Sequence, residues 1–255
     1  MNVSSAKNRK SFLIGVDSDG CVFDTMEIKQ KGCFTRNTVK YFGLQSLFRS
    51  VSETSEFVNL YSRHRGKNRF LALLKVFEEL EKHPQVEKRG VELPDLQSLR
   101  EWTESESQLG NATLSEKVLD SNDAVLANVL DWSLAINRDI ADLVRGVGPF
   151  PGVEPALRAA SEQADLVVVS QTPREALERE WREHEMDGLV RNIYGQEDGT
   201  KDQHLLEARD CHYPAGHVLM LGDALGDLEA AKEAGALFFP IVPGEEESSW
   251  EKFLE

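Results

Sequence analysis

The sequence predicts an α/β fold, in which helices cover both faces of a parallel sheet and an all-helical module follows the first strand. Short apolar segments alternate with predicted helices over residues 151–240, and this alternation is typical of parallel strands joined by helices. Residues 25–148 instead show helical periodicity and few convincing strands. The simplest architecture is therefore one α/β core that is interrupted by a helical insertion.

The first strand is predicted over Phe12–Val16, a short apolar run typical of a strand buried on both faces. Two carboxylates, Asp17 and Asp19, follow it directly. Charges at the end of a buried strand need water, a partner or a metal, and open α/β sheets bind ligands at the carboxyl ends of their strands. We therefore expect a functional site here, with Gly20 bringing backbone N–H groups close to an anion.

The inserted module is predicted to be helical throughout. Its strongest apolar pattern, Phe70–Leu80, is followed by His83-Pro84, which is expected to end that helix. A helix is predicted from Asp24-Thr25 through Lys29 and beyond, and a loose apolar stripe follows it from Cys33 to Leu44. The other predicted helical segments lie around residues 57–61, from Pro94 to about Ser105, and from Ala124 to Leu143.

The remaining core elements are predicted from alternating apolar runs and helical segments. In chain order they are a helix over 153–164, a strand over 166–170, a helix over 173–184 with Pro173 at its start, a strand over 190–194, a helix over 201–209, a strand over 218–223, a helix over 227–234 and a strand over 236–240.

Composition and charge exclude several classes of function. The chain has 255 residues and a net charge of −15, which argues against non-specific binding to nucleic acid or to an anionic membrane. No apolar run approaches the length that spans a bilayer. The three scattered cysteines fit free thiols in a reducing cytoplasm. We expect a cytoplasmic protein without nucleic acid or membrane partners, while the choice between monomer and homodimer is open.

Polar side chains follow three of the predicted strands, and parallel pairing would bring them to one edge of the sheet. Carboxylates gathered there repel each other unless a cation holds them, and all-oxygen ligands favour Mg²⁺ together with substrate phosphate oxygens. A hydroxyl, a lysine and backbone N–H groups beside such a metal would suit a phosphoryl group. The residues concerned are Asp17, Asp19, Ser170, Gln171, Thr172, Asp223 and Asp227, together with Lys201 at the start of the helix predicted over 201–209.

On these motifs the sequence resembles the haloacid dehalogenase-like hydrolase superfamily, in its Mg²⁺-dependent phosphatase branch with a helical cap inserted after the first motif. The resemblance implies a Rossmann-like core, formed by residues 1–24 and 149–255, and a cap of residues 25–148 that selects the substrate. The matching motifs, in order, are Asp17-Ser18-Asp19-Gly20, Ser170, Lys201 and Gly222-Asp223-Ala224-Leu225-Gly226-Asp227.

The resemblance also implies a role for each matched residue. Asp17 would attack phosphorus and form an aspartyl-phosphate, and Asp19 would protonate the leaving group and later deprotonate water. Mg²⁺ would be held by the Asp17 carboxylate, the Asp19 backbone carbonyl and Asp223. Asp227 would be a further ligand or a support. The groups expected to bind the phosphoryl group are Ser170, Gln171, Lys201 and the backbone around Ser18 and Gly20.

Three of these residues also have ordinary structural interpretations. Ser170 could be a plain strand-end hydroxyl, and Lys201 could be a solvated lysine at a helix start. Asp227 could be only the N-cap of its helix. Lysine is unfavourable at a helix N-terminus, which favours a functional role for Lys201.

The inserted module carries a basic segment, Arg63–Arg69, within a chain of strongly negative net charge. Basic side chains at a helix start oppose its dipole, so a nearby anion would relieve them. The alternative is a solvated loop. We expect Arg65, Arg69 and Lys29 to contact a second anionic group of the substrate.

The predicted function is an Mg²⁺-dependent phosphatase that acts on a small phosphorylated metabolite. A sugar phosphomutase would keep both aspartates of the first motif, so only analysis of the products would separate it. A 2-haloacid dehalogenase needs neither Asp19 nor Mg²⁺, and a phosphonate hydrolase would lack Asp19. A non-catalytic protein of the same fold is disfavoured by the complete set of motifs.

Overall fold

The structure is a computed structural model that describes residues 9–214 and 216–255. Its contacts divide the chain into two compact units. One is formed by the chain up to Asp24 together with Gly146–Glu255, and the other by Thr25–Arg145. In the described part of the chain, no helix combines the length and the apolar character that a membrane crossing needs.

The unit Thr25–Arg145 is helical. Two π-helical segments, Ile28–Phe34 and Phe57–Tyr61, precede and follow its first two α-helices. The fully buried Phe70 and Trp102 rings meet edge to face with centroids 5.1 Å apart in its core, a favourable arrangement for aromatic pairs. The α-helices are α1 (Thr35–Tyr41), α2 (Phe48–Glu56), α3 (Arg69–Glu81), α4 (Pro84–Arg89), α5 (Gln97–Ser105), α6 (Asn111–Ser121) and α7 (Ala124–Leu143).

The other unit contains a parallel sheet of five strands in the order β3-β2-β1-β4-β5. The α/β fold predicted from the sequence is therefore confirmed. Its strands are β1 (Phe12–Val16), β2 (Ala164–Val169), β3 (Val190–Tyr194), β4 (Val218–Gly222) and β5 (Leu237–Pro240), and its helices are α8 (Val153–Ser161), α9 (Arg174–Glu183), α10 (Lys201–Arg209), α11 (Leu225–Glu233) and α12 (Glu246–Leu254).

The register of the sheet explains why the polar strand ends meet. Val16, the last residue of the central strand β1, lies opposite Val168 of β2 and Leu221 of β4. The residues that follow these three strands therefore leave the sheet at the same edge. Because both neighbours of β1 are parallel to it, Asp17 emerges between the ends of β2 and β4.

α5, α9 and α11 begin at residues other than those predicted. α5 begins at Gln97 because Asp95 accepts a hydrogen bond from the Gln97 N–H at 2.9 Å before the helix starts. Pro173 is the N-cap of α9 and not its first residue. α11 begins at Leu225, two residues before Asp227.

α4, α6 and α12 are among the helices that have no counterpart in the prediction. α4 begins at Pro84, and His83 caps it by accepting from the Gln85 N–H. Pro84, which is expected from the sequence only to end α3, is therefore the first residue of the next helix, a position that proline favours. α6 buries only Leu114, so its sequence has too weak an apolar stripe to be recognised. α12 buries Trp250 and Ser249.

Candidate active site

Lys201, the first residue of α10, binds two carboxylates in the interior of the sheet unit. Its Nζ lies 2.9 Å from Asp17 Oδ2 and 2.6 Å from Asp227 Oδ1, and all three side chains are buried. Burial lowers the pKa of Lys201, but the charges of Asp17 and Asp227 outweigh burial and hold this pKa above its ordinary value. The solvated-lysine interpretation is therefore wrong, because Lys201 is a buried cation.

Asp17, Asp223 and Asp227 form a compact group of buried carboxylates. Each offers an oxygen that lies within 4.8 Å of those of the other two. Three carboxylates held this close together in a buried site repel each other, so the group fits a divalent cation. The ligand atoms are all oxygens, as Mg²⁺ prefers. The Asp19 carboxylate is not part of the group, and its predicted metal contact through the backbone carbonyl stays a prediction.

Asp227 occupies the third position of α11, and the N-cap is Ala224. The N-cap interpretation of Asp227 is therefore wrong: its Oδ2 accepts from the Ala224 N–H at 3.0 Å, while Oδ1 accepts from Lys201. A Cβ at Gly222 would overlap the Asp227 side chain, which explains why β4 ends in glycine. Asp227 is thus built into the site as a support for Lys201.

The Asp17 carboxylate is held at both oxygens. Its Oδ1 accepts from the Ser18 N–H at 2.8 Å, and its Oδ2 faces Lys201. The Asp17 N–H in turn donates to Leu221 O at 3.0 Å, which continues the pairing of β1 with β4. Asp17 therefore has a defined orientation at the edge of the sheet.

The loop after Asp17 closes on itself, so two N–H groups of the predicted phosphoryl site have partners within the loop. The N–H groups of Ser18 and Gly20 are predicted to bind a phosphoryl group. In the structure the Ser18 N–H donates to Asp17, and the Gly20 N–H donates to Phe23 O at 2.9 Å. The reason is a tight turn in which Ser18 O also accepts from the Phe23 N–H at 3.0 Å.

Two tryptophans anchor this loop from different helices. The Trp181 indole N–H in α9 donates to Ser18 Oγ at 3.1 Å, and the Trp250 indole N–H in α12 donates to Cys21 O at 2.9 Å. Both indoles are fully buried. Buried hydrogen bonds of this kind are costly to break because the partner is then left unsatisfied. Neither tryptophan is among the site residues predicted from the sequence.

The segment after β2 carries Ser170, Gln171 and Thr172. Ser170 is buried, and its Oγ accepts from the Thr172 N–H at 3.2 Å. The Gln171 amide donates to Gly199 O at 2.9 Å. This amide therefore supports the loop just before Lys201, and the predicted contact of Gln171 with a phosphoryl group stays a prediction.

Thr172 is a site residue that is absent from the catalytic and binding residues predicted from the sequence. Its hydroxyl donates to Asp19 Oδ2 at 2.8 Å. The only signal in the sequence is its position two residues after Ser170. Its partner lies 153 residues away, so the contact depends on the pairing of β1 with β2.

Lys29, Arg65 and Arg69 lie in the helical unit. Lys29 is buried in the first π-helical segment, and Arg65 Nη1 donates to Leu60 O at 3.2 Å. Arg69 Nη1 donates to Asn137 Oδ1 at 2.6 Å and to Ser133 Oγ at 3.1 Å. Arg69 therefore joins the start of α3 to α7, and substrate contact by the three basic residues stays a prediction.

A family model described as haloacid dehalogenase-like hydrolase matches residues 72–241, which is more than half of the chain. The chain belongs to the haloacid dehalogenase-like hydrolase family. The resemblance indicated by the sequence motifs is therefore confirmed. The matched segment of this hydrolase contains Ser170, Lys201, Asp223 and Asp227, whereas Asp17 and Asp19 precede it. No curated protein matches the sequence.

Solved structures of the same family have a similar fold. A protein from Bacteroides fragilis described as a haloacid dehalogenase-like hydrolase is 16% identical with a TM-score of 0.61, over 94% of this chain and 93% of that one. A predicted phosphoglycolate phosphatase from Haemophilus somnus is 14% identical with a TM-score of 0.60, over 91% and 86%. YfnB from Bacillus subtilis, solved bound to magnesium, is 12% identical with a TM-score of 0.50, over 91% and 88%. At these identities the likeness shows the fold alone.

We expect Lys201 and Asp227 to make a coupled contribution to stability. Lys201→Met should leave buried carboxylates without their cation and lower the free energy of unfolding by about 3–5 kcal/mol. In a chain of this size the melting temperature should fall by about 6–20 °C. Because the two partners are in contact, Asp227→Asn should cost about 0.5–3 kcal/mol less in the Lys201→Met background than in the wild type.

Thermal unfolding followed by circular dichroism measures these effects. Lys232→Met is the matched control, because Lys232 is an exposed residue of α11 and its replacement should change stability by no more than about 0.5 kcal/mol. Strictly additive effects of Lys201→Met and Asp227→Asn would contradict the coupling.

Proposed function

We propose that this hydrolase is an Mg²⁺-dependent phosphatase that cleaves small phosphorylated metabolites through an aspartyl-phosphate on Asp17. The observation that carries this proposal is the buried contact between Lys201 and Asp17, within a group of three carboxylates. A carboxylate held beside a lysine and a cation site can approach an anionic phosphoryl group, because positive charge offsets the repulsion between them. The name of the Haemophilus somnus neighbour also supports phosphatase chemistry.

Asp17 would act as the nucleophile. One of its oxygens would form a bond to phosphorus while the bond between phosphorus and the leaving oxygen breaks. Its contacts with the Ser18 N–H and with Lys201 fix the direction of the carboxylate, and each carboxylate oxygen keeps a further lone pair for the attack. Holding the nucleophile in one orientation lowers the entropic cost of reaching the transition state.

Asp19 would transfer the protons. It would donate a proton to the leaving oxygen in the first step and take a proton from water in the second, as that water bonds to phosphorus and releases Asp17. Its carboxylate is half-buried and accepts a hydrogen bond from Thr172.

Ser170 is suited to bind the phosphoryl group, because its oxygen accepts from the Thr172 N–H and its own proton can be donated.

The carboxylates of Asp17 and Asp223 would hold Mg²⁺, with Asp227 supporting them through Lys201. When bound, the metal would neutralise charge on the transferring phosphoryl group. The residues fit this cation because they are buried, acidic and close together. The magnesium found in the Bacillus subtilis neighbour supports the same choice of cation.

The alternatives from the same superfamily are less well supported. A 2-haloacid dehalogenase has no use for a second carboxylate held in place beside the nucleophile, as Thr172 holds Asp19. A phosphomutase would return the phosphoryl group to its substrate, so its products would contain no inorganic phosphate. We assign the choice of substrate to the unit Thr25–Arg145, whose basic side chains suit anionic metabolites.

Asp17→Asn should abolish hydrolysis of p-nitrophenyl phosphate in the presence of Mg²⁺. Loss of the nucleophile should lower kcat by about 10³-fold or more. Asp187→Asn is the matched control, because Asp187 is exposed in the same unit, and it should keep wild-type activity. Release of inorganic phosphate from a panel of phosphorylated metabolites, including 2-phosphoglycolate, would identify the substrate and exclude the mutase.

Full activity of Asp17→Asn would show that the nucleophile is assigned wrongly. Release of chloride from 2-chloropropionate without any release of phosphate would instead favour the dehalogenase.

Asp223 and Asp227 should differ in their effect on metal binding. Asp223→Asn removes a ligand oxygen and should weaken Mg²⁺ binding by about tenfold or more. Asp227→Asn should weaken it less, because both oxygens of Asp227 already accept hydrogen bonds, from Lys201 and Ala224. Calorimetric titration with Mg²⁺ measures the dissociation constant of each variant. A larger effect of Asp227→Asn would place Asp227 among the ligands.

A further inference from the structure

The ends of β1 and β2 are joined by a side-chain hydrogen bond. Thr172 Oγ1 donates to Asp19 Oδ2 at 2.8 Å. Asp19 lies two residues beyond Asp17 and Thr172 two residues beyond Ser170, so the bond links the loop that carries the nucleophile to the loop that carries the phosphoryl-binding hydroxyl. Thr172 is not among the residues matched to the family motifs, and it is not one of the three grouped carboxylates.

The backbone of Thr172 is itself fixed on both sides. Its N–H donates to Ser170 Oγ at 3.2 Å, and its carbonyl accepts from the Gln196 N–H at 3.1 Å. A Cβ at Gly195 would come within 2.6 Å of Arg174 N and 2.9 Å of Thr172 O, so the loop after β3 packs directly against this segment. The hydroxyl of Thr172 is therefore presented from a rigid support.

We propose that Thr172 is a positioning residue for Asp19, an inference that rests on the proposed phosphatase function. By holding Oδ2, Thr172 would direct Oδ1 toward the leaving oxygen. A hydroxyl can donate to a carboxylate and accept from a carboxylic acid, so the contact suits Asp19 before and after it gives up its proton. A valine at this position would keep the shape of the side chain and remove the contact.

If Thr172 positions Asp19, the effect of losing their contact on the hydrolysis rate should depend on the leaving group of the substrate. A poor leaving group needs its proton at the moment the bond to phosphorus breaks, whereas p-nitrophenolate leaves readily without one. Misplacement of Asp19 should therefore impair phenyl phosphate more than p-nitrophenyl phosphate. A change that merely loosened the fold would lower both rates in proportion and leave their ratio unchanged.

The experiment compares kcat/KM for the two esters with Mg²⁺ in the wild type, Thr172→Val and Thr172→Ser. Thr172→Val should lower kcat/KM for phenyl phosphate about tenfold more than for p-nitrophenyl phosphate. Thr172→Ser keeps the hydroxyl and should restore the wild-type ratio. In an Asp19→Asn background, Thr172→Val should no longer change the ratio, because the two residues act as one unit.

Two results separate the failure of this inference from the failure of the proposed function. If the wild type hydrolyses both esters and Thr172→Val keeps their ratio, the positioning role of Thr172 is overturned and the phosphatase stands. If the wild type hydrolyses neither ester, both the positioning role of Thr172 and the proposed phosphatase function are overturned. Thr172→Ala repeats the comparison should Thr172→Val fold poorly, and an unchanged ratio in that variant would count equally against the inference.

Discussion

A buried lysine bound to two aspartates is the interaction on which the site depends. Lys201 comes from α10, Asp17 from the end of β1 and Asp227 from α11, so one cation joins three elements. Burying a charge is costly unless it is paired and hydrogen-bonded, and each of these three groups has such partners. The contact that compensates for burial also sets the orientation of Asp17. Stability and chemistry are therefore coupled at this point in the fold.

The supports around Asp17 and Asp19 come from distant parts of the chain. Trp181 and Trp250 fix the loop from α9 and α12, and Thr172 reaches Asp19 from the end of β2. A site of this kind gains precision when the reacting groups stand on regular elements and are held by further hydrogen bonds. The parallel sheet brings these elements together because β1 is paired on both sides.

Sequence reasoning identifies features that depend on local pattern and fails for those that depend on tertiary contacts. The strand β1 and the run of polar strand ends are predictable because an apolar run that stops at charged residues has few structural interpretations. The Thr172–Asp19 bond spans 153 residues and the Trp250–Cys21 bond spans 229, so no local pattern indicates them. Residue type also cannot reveal that a turn already uses the Gly20 N–H, a donor that the sequence assigns to the phosphoryl site.

The covalent intermediate is the most direct test of the proposed chemistry. The protein is quenched in acid during Mg²⁺-dependent turnover and then treated with borohydride, which reduces an acyl phosphate to an alcohol. Mass spectrometry then locates the modified aspartate. We expect the modification at Asp17, dependent on substrate and on Mg²⁺, and lost in Asp17→Asn. Modification at Asp19 or Asp223, or rapid turnover with no modified aspartate, would contradict the role of Asp17 as the nucleophile.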